Sequence, residues 1–292
     1  MGRHIMDRDR AVRNVLIYTL LANIVVAVAK IIYGYFIHSI AMTSDGFHSF
    51  FDGVSNVVGL LGIWIASHPP DREHPYGHKK YETLFTMIIA FMIFLTCWQI
   101  LKRVYESFSE DHLTMATPES FIIMLVTMAV NIGVMVYETR KGRELGSDFL
   151  IADAKHTKSD IMATIAVIIS LIFAKAGYTQ ADPIIGVIIT VLIARVGYNI
   201  LKSASQTLVD SVCIDTYDVE RVIKAIKGVR GCHDIRTRGS AQSIFLDLHI
   251  LVDPKLTTGK AHEIANNVES AIKHNFPSVI DIVVHVEPEE KH

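Results

Sequence analysis

Two stretches of this chain repeat one arrangement of acid and imidazole. Asp45, His48 and Asp52 form the first, Asp153, His156 and Asp160 the second, each in the pattern Asp-x-x-His-x-x-x-Asp. In an α-helix, residues four apart lie one above the other, so His48 with Asp52, and His156 with Asp160, present two ligand-type groups on one face. Two such helices facing each other make a cage of two imidazoles and two carboxylates. That donor set suits a four-coordinate Zn²⁺ at bond lengths of about 2.0–2.2 Å. It also accepts Mn²⁺ and Fe²⁺, since nitrogen and oxygen sites discriminate by geometry and metal supply more than by raw affinity. Asp45 and Asp153 precede the histidines by three residues and stand close to the same face, where a carboxylate can orient an imidazole.

The elements that position these groups are apolar. The chain has 292 residues, 50% hydrophobic and 20% charged, with a net charge of −2 and mean hydropathy +0.34; nothing in that balance calls for a nucleic-acid partner. Apolar stretches run over Val15–Ile37, Ile40–Ser67, Thr83–Leu101, Phe121–Tyr137, Ile161–Ala174 with a polar lead-in from Asp148, and Pro183–Ile200. A membrane-spanning helix needs about 20 such residues, and soluble helices rarely stay apolar all round for this long. Six spans are therefore expected, with the His-Asp pairs in the second and fifth. Ionisable side chains in hydrocarbon cost several kcal/mol unless paired or bound to metal, so the pairs point to an ion held inside a bilayer.

Orientation follows from basic residues, which accumulate on the cytoplasmic side of short loops. Arg3, Arg8, Arg10 and Arg13 precede the first span; Arg72, Lys79 and Lys80 follow the second; Arg140, Lys141 and Arg143 follow the fourth. Both termini are expected in the cytoplasm. Met1–Ile5 lack the order of a signal peptide and read as a cloning remnant before Met6. Cys97, Cys213 and Cys232 form no CxxC and give no sign of a disulfide framework or zinc ribbon.

After Asp210 the texture changes to that of a small soluble domain. Val219, Val222, Ile223 and Ile226 are spaced for a helix that stops at Gly228. Ile244, Leu246, Leu248 and Ile250 alternate with Asp247 and His249 as a strand does. Thr258–Phe276 form an amphipathic helix ended by Pro277, and Asp281–Glu287 alternate again, with His285 and Glu287 on one face. The order αββαβ predicts a ferredoxin-like, metallochaperone-like α+β fold.

Six spans with cytoplasmic ends, paired His-x-x-x-Asp and an αββαβ tail resemble the cation diffusion facilitator family. The resemblance is carried by Ser44-Asp45-Gly46-Phe47-His48 with Asp52, by the run Asp153 to Asp160, by His74-Pro75-Tyr76-Gly77-His78-Lys79-Lys80-Tyr81-Glu82, by Gly231 to Arg238, and by His285-Val286-Glu287-Pro288. It implies a transport site at His48, Asp52, His156 and Asp160, a second site at Asp71, His74 and His78 in the loop after the second span, and a metal-sensing cluster at His233, His249, His262, His285 and Glu287. Glu287 departs from the Asp common there. The resemblance further implies an interdomain pair of Lys80 and Asp210, and a homodimer formed through the tail. His38, His68, His112 and His274 fall in no motif.

The organisation expected is thus an N-terminal segment 1–13, a six-helix membrane domain 14–209 and a cytoplasmic metal-binding domain 210–292, in a bacterial or archaeal plasma membrane. The function expected is efflux of a divalent metal in exchange for protons by alternating access, with Zn²⁺ as substrate and regulator and Fe²⁺, Mn²⁺ or Cd²⁺ as alternatives. A non-transporting membrane sensor or scaffold competes with it. An enzyme is not expected: His262-Glu263 opens like the protease motif HExxH, but Asn266 replaces its second histidine.

Overall fold

The structure, a computed structural model, describes residues 2–36, 40–107, 118–175, 181–240 and 243–289. The chain divides into two compact units, Met1–Ala204 and Ser205–His292.

The first unit is helical: α1 (Gly2–Phe36), α2 (Ile40–Ala66), α3 (Lys80–Ser107), α4 (Pro118–Leu145), α5 (Asp148–Lys175) and α6 (Ala181–Leu208). Most of these helices outrun the apolar stretches that announce them, because a helix does not end where hydrocarbon would. Stretches within α1, α3 and α6 (Arg8–Tyr33, Lys80–Lys102 and Pro183–Leu208) are long and apolar enough to cross a membrane, while in α2 the segment Gly53–Ala66 is apolar but shorter. Asp148, Asp153, Lys155, Lys158 and Asp160 load the first half of α5 and leave only its second half apolar.

Leu16 from α1, Ile63 from α2, Ile89 and Ile93 from α3, Phe149 and Leu150 from α5 and Ile193 from α6 form the buried core of this unit. Small residues let the helices approach. At Gly62 a Cβ would stand 2.6 Å from Cγ of Phe85 on α3.

A charged cluster ties the ends of four helices together. The Arg8 guanidinium donates to both Glu82 oxygens at 3.0 and 3.2 Å and to the carbonyls of Leu145 and Gly146, while Lys79 donates to Asp9 at 2.7 Å. Ser147, whose hydroxyl accepts from the Leu150 amide and so caps α5, donates that hydroxyl's proton to Glu82.

The second unit runs α7 (Thr216–Lys224), β1 (Gly231–Ser240), β2 (Ser243–Val252), α8 (Thr258–Asn275) and β3 (Val279–Pro288), the expected αββαβ order. Asp215 caps α7 by accepting from the Tyr217 amide, and Thr257 caps α8. The sheet order is β1-β2-β3, antiparallel between β1 and β2 and parallel between β2 and β3. Alternation along β2 buries Ile244, Leu246, Leu248 and Ile250 with Val219 and Ile223 of α7 and Ala265, Val268 and Ile272 of α8. The helices therefore cover one face of the sheet, and the polar residues of the strands occupy the other.

Candidate metal centres

In the helical unit the second His-Asp pair is fully placed. His156 is buried at 3% exposure, and neither of its ring nitrogens has a hydrogen-bond partner among the described residues. Leaving a buried donor or acceptor unmet costs about 1–3 kcal/mol, so an imidazole in this state is poised for a ligand. It lines a cleft together with Asp160, Thr157, Ser55, Asn23 and Asn131. His48 and Asp52 lie on α2, as does Asp45, but their side chains are outside the described residues, as are His38 and His112.

The relation of α2 to α5 is nevertheless fixed one turn away. Asn56, one turn after Asp52 on α2, donates from Nδ2 to Asp153 Oδ2 at 2.9 Å and to Thr19 Oγ1 at 3.1 Å, and its own carbonyl accepts from Asn23 at 2.9 Å. Asp153 thus gives this oxygen to Asn56, and no hydrogen bond joins it to the unpartnered His156 ring. A carboxylate three residues before the histidine is rotated about 60° from it around the helix, toward α1 and α2.

The same network contains a residue that sequence reasoning passed over. Glu138 on α4, 1% exposed, lies against Thr19 and Asn56 and interacts electrostatically with Asp153. Four helices therefore meet in one buried polar knot beside the cleft. A signal existed: Asn131, which lines the cleft, and Glu138 are seven residues apart and so share a face of α4.

The loop between α2 and α3 brings Asp71, His74 and His78 together, with one ligand atom from each within 4.8 Å of the others. Asp71 Oδ1 accepts from the backbone amides of His74 at 2.7 Å and Glu73 at 2.9 Å, and the first of these bonds chiefly holds its carboxyl below the usual range. Gly77, at φ 82°, completes the turn by donating its amide to the His74 carbonyl. His74 Nδ1 stands 3.6 Å from Asp71 Oδ1, and His78 Nε2 stands 3.5 Å from Asp71 Oδ2. Both separations are long for hydrogen bonds, yet they match the edge of a tetrahedron with bonds of about 2.0–2.2 Å, roughly 3.3–3.6 Å. Nδ1 of His74 and Nδ1 of His78 are buried without hydrogen-bond partners among the described residues.

In the second unit, strand register aligns three histidines across the outer face of the sheet. His233 pairs with His249, and His249 with His285, their ring centres 5.1 and 4.6 Å apart. Glu287, two residues after His285 and so on the same face, sits among them: its carboxylate is 2.9 Å from His249 Nδ1, 3.3 Å from His233 Nε2 and 3.5 Å from His285 Nε2. Asp234 joins His233 and His249 as a further ligand-type group. It lies in the irregular stretch between His233 and Arg236, at φ 51°, a bulge no sequence pattern announced. His262 lies apart, exposed on α8, which covers the other face of the sheet; among the described residues it belongs to no ligand group. Lys80 opens α3 in the first unit, and Asp210, at φ 57°, follows α6 in the second.

A family model described as the cation efflux transmembrane domain matches residues 16–209, and one described as the cation efflux protein cytoplasmic domain matches residues 214–289. The chain is 30% identical over 283 residues to an uncharacterized transporter of Methanocaldococcus jannaschii, an alignment covering 95% of this chain and 99% of the relative. It is also 30% identical over 275 residues to the manganese efflux system protein MneS of Bacillus subtilis, covering 92% and 93% of the two chains. The solved C-terminal domain of MamM is 31% identical, with 94% of that chain aligned to 26% of this one and a TM-score of 0.25.

Proposed function

The chain belongs to the cation diffusion facilitator family, and from that premise we propose that it exports a divalent metal, Zn²⁺ foremost, across a membrane in exchange for protons. The observation that carries this reading is the buried, unpartnered His156 imidazole in a cleft shared with Asp160. The Asn56–Asp153 hydrogen bond supports the other half of the cage. In a six-span, up-and-down bundle α2 and α5 run in opposite directions. Moving from that bond toward Asp52 and His48 on α2 then keeps level with moving toward His156 and Asp160 on α5, at 1.5 Å per residue. Asp52 then stands nearly level with His156, and His48 with Asp160 one turn further on, so the four side chains meet between adjacent turns.

Imidazole and carboxylate bind metal only when deprotonated, so protons arriving from the acidic side displace the ion. The bundle rocks between faces, loading metal from the cytoplasm, where both termini lie. Asp71, His74 and His78 form a second metal site at the membrane edge. The outer-face histidines with Glu287 form a sensing site in the tail, through which two copies pair. Boundaries at residues 14 and 210 separate the segments.

A second reading is manganese efflux, favoured by the naming of a relative of nearly equal length for that metal. Proteoliposomes carrying an outward-directed metal load and a pH gradient decide between them. The expected order puts Zn²⁺ flux first, with stoichiometric proton counterflow, ahead of Mn²⁺, Fe²⁺ and Cd²⁺. Faster Mn²⁺ flux would replace zinc as the substrate, and metal flux without proton movement would overturn the antiport.

A further inference from the structure

The loop site has a histidine beside it that no motif included. His68 lies just past α2, before Pro69 and Pro70, and its Nδ1 is 2.9 Å from the Trp64 carbonyl and 3.1 Å from that of Ile65. Carbonyl oxygens only accept, so Nδ1 carries the ring proton and donates it, and in the neutral imidazole Nε2 is left with a free lone pair. Metal-binding histidines are fixed in the same way, one nitrogen anchored to a carbonyl and the other offered to the ion.

The ring also stands beside the site, although its nitrogens are not in the group of atoms from Asp71, His74 and His78 that lie within 4.8 Å of one another. Its centre is 6.0 Å from that of His78, while His74 and His78 are 4.5 Å apart. Two imidazoles on one tetrahedral zinc, at about 2.0–2.1 Å per bond, have ring centres about 5 Å apart, so the two observed separations bracket the bound value. A basic side chain bonding the last carbonyls of a helix is a common ending, which accounts for the Nδ1 bond. It does not by itself account for a third imidazole standing 6.0 Å from His78.

We propose that His68 is the fourth ligand of the loop site, its Nε2 closing a tetrahedron of three imidazoles and one carboxylate around a divalent metal. This rests on the reading of Asp71, His74 and His78 as metal ligands. With three protein ligands the site would keep a water and an open position; with four it is closed, as sites that retain their ion are. The ion would also grip the end of α2, the helix that carries His48 and Asp52. Occupancy of the loop is thereby tied to the position of a transport helix.

The test uses the full-length protein with Asp160→Ala and Glu287→Ala, which silence the transport and tail sites, and Co²⁺ as the probe. His68→Ala is expected to weaken Co²⁺ binding at the loop by about tenfold or more and to replace the intense absorption of a tetrahedral ion by the weak bands of a water-expanded one. Asp71→Ala abolishes binding there, and His274→Ala, at an exposed histidine of α8, changes neither readout. If Asp71→Ala lowers binding while His68→Ala leaves affinity and spectrum untouched, His68 is no ligand although the loop site stands. If neither variant changes binding, the loop reading itself fails and the fourth ligand with it.

Discussion

Glu287 is the carboxylate that lies within 3.5 Å of all three aligned imidazoles of the tail, and its reach sets the geometry there. A glutamate in place of the shorter aspartate places the carboxylate against His249 while keeping His233 within 3.3 Å. Glu287→Ala is expected to lower metal affinity of the tail about 10- to 100-fold, read by zinc titration of the full-length protein. The melting temperature should change little, because the residue lies on the face opposite the core of Leu248, Ile250 and Ile272. A large stability loss with unchanged affinity would contradict that assignment. At this scale sequence spacing reveals pairs within one element, such as His156 with Asp160 or His285 with Glu287. Groups assembled from several elements escape it. Glu138 meets Thr19, Asn56 and Asp153 from three other helices, and Asp234 owes its place to a bulge. The proposed ligand His68 follows a simple spacing, since 68, 71 and 74 recur every three residues before His78.

Among elements, the helices act through close approach and shared polar bonds. Gly62→Val places a side chain against the Phe85 ring, where a Cβ alone would stand 2.6 Å from Cγ. Overpacking of that kind costs about 1–3 kcal/mol. Thermal inactivation in detergent should come at lower temperature than for the parent, whereas an unchanged profile would mean that α2 and α3 do not pack closely at Gly62. Periodicity located all six helices and the αββαβ order of the tail, because hydrophobic spacing reports burial directly. It misjudged helix ends, since charged turns such as those holding Arg8, Glu82 and Ser147 continue a helix by capping and ion pairing rather than by apolar burial. It also could not tell which layer of the tail His262 would occupy, because a helix position reveals its neighbours only once the sheet is in place.

For the molecule as a whole, the proposed function assigns transport to the helical unit, which holds the buried His156 beside Asp160, and sensing to the tail with its histidine-lined sheet face. The two tasks are expected to separate by mutation, changes at Glu287 altering how metal is sensed and changes at Asp160 whether it crosses. The most direct measurement is zinc-driven proton counterflow in proteoliposomes containing Asp160→Asn, which removes one anionic ligand at nearly constant volume. The rate is expected to fall below that of the parent by at least about tenfold, with zinc binding at the loop and tail intact. Parental counterflow in that variant would contradict a transport site built on His156 and Asp160.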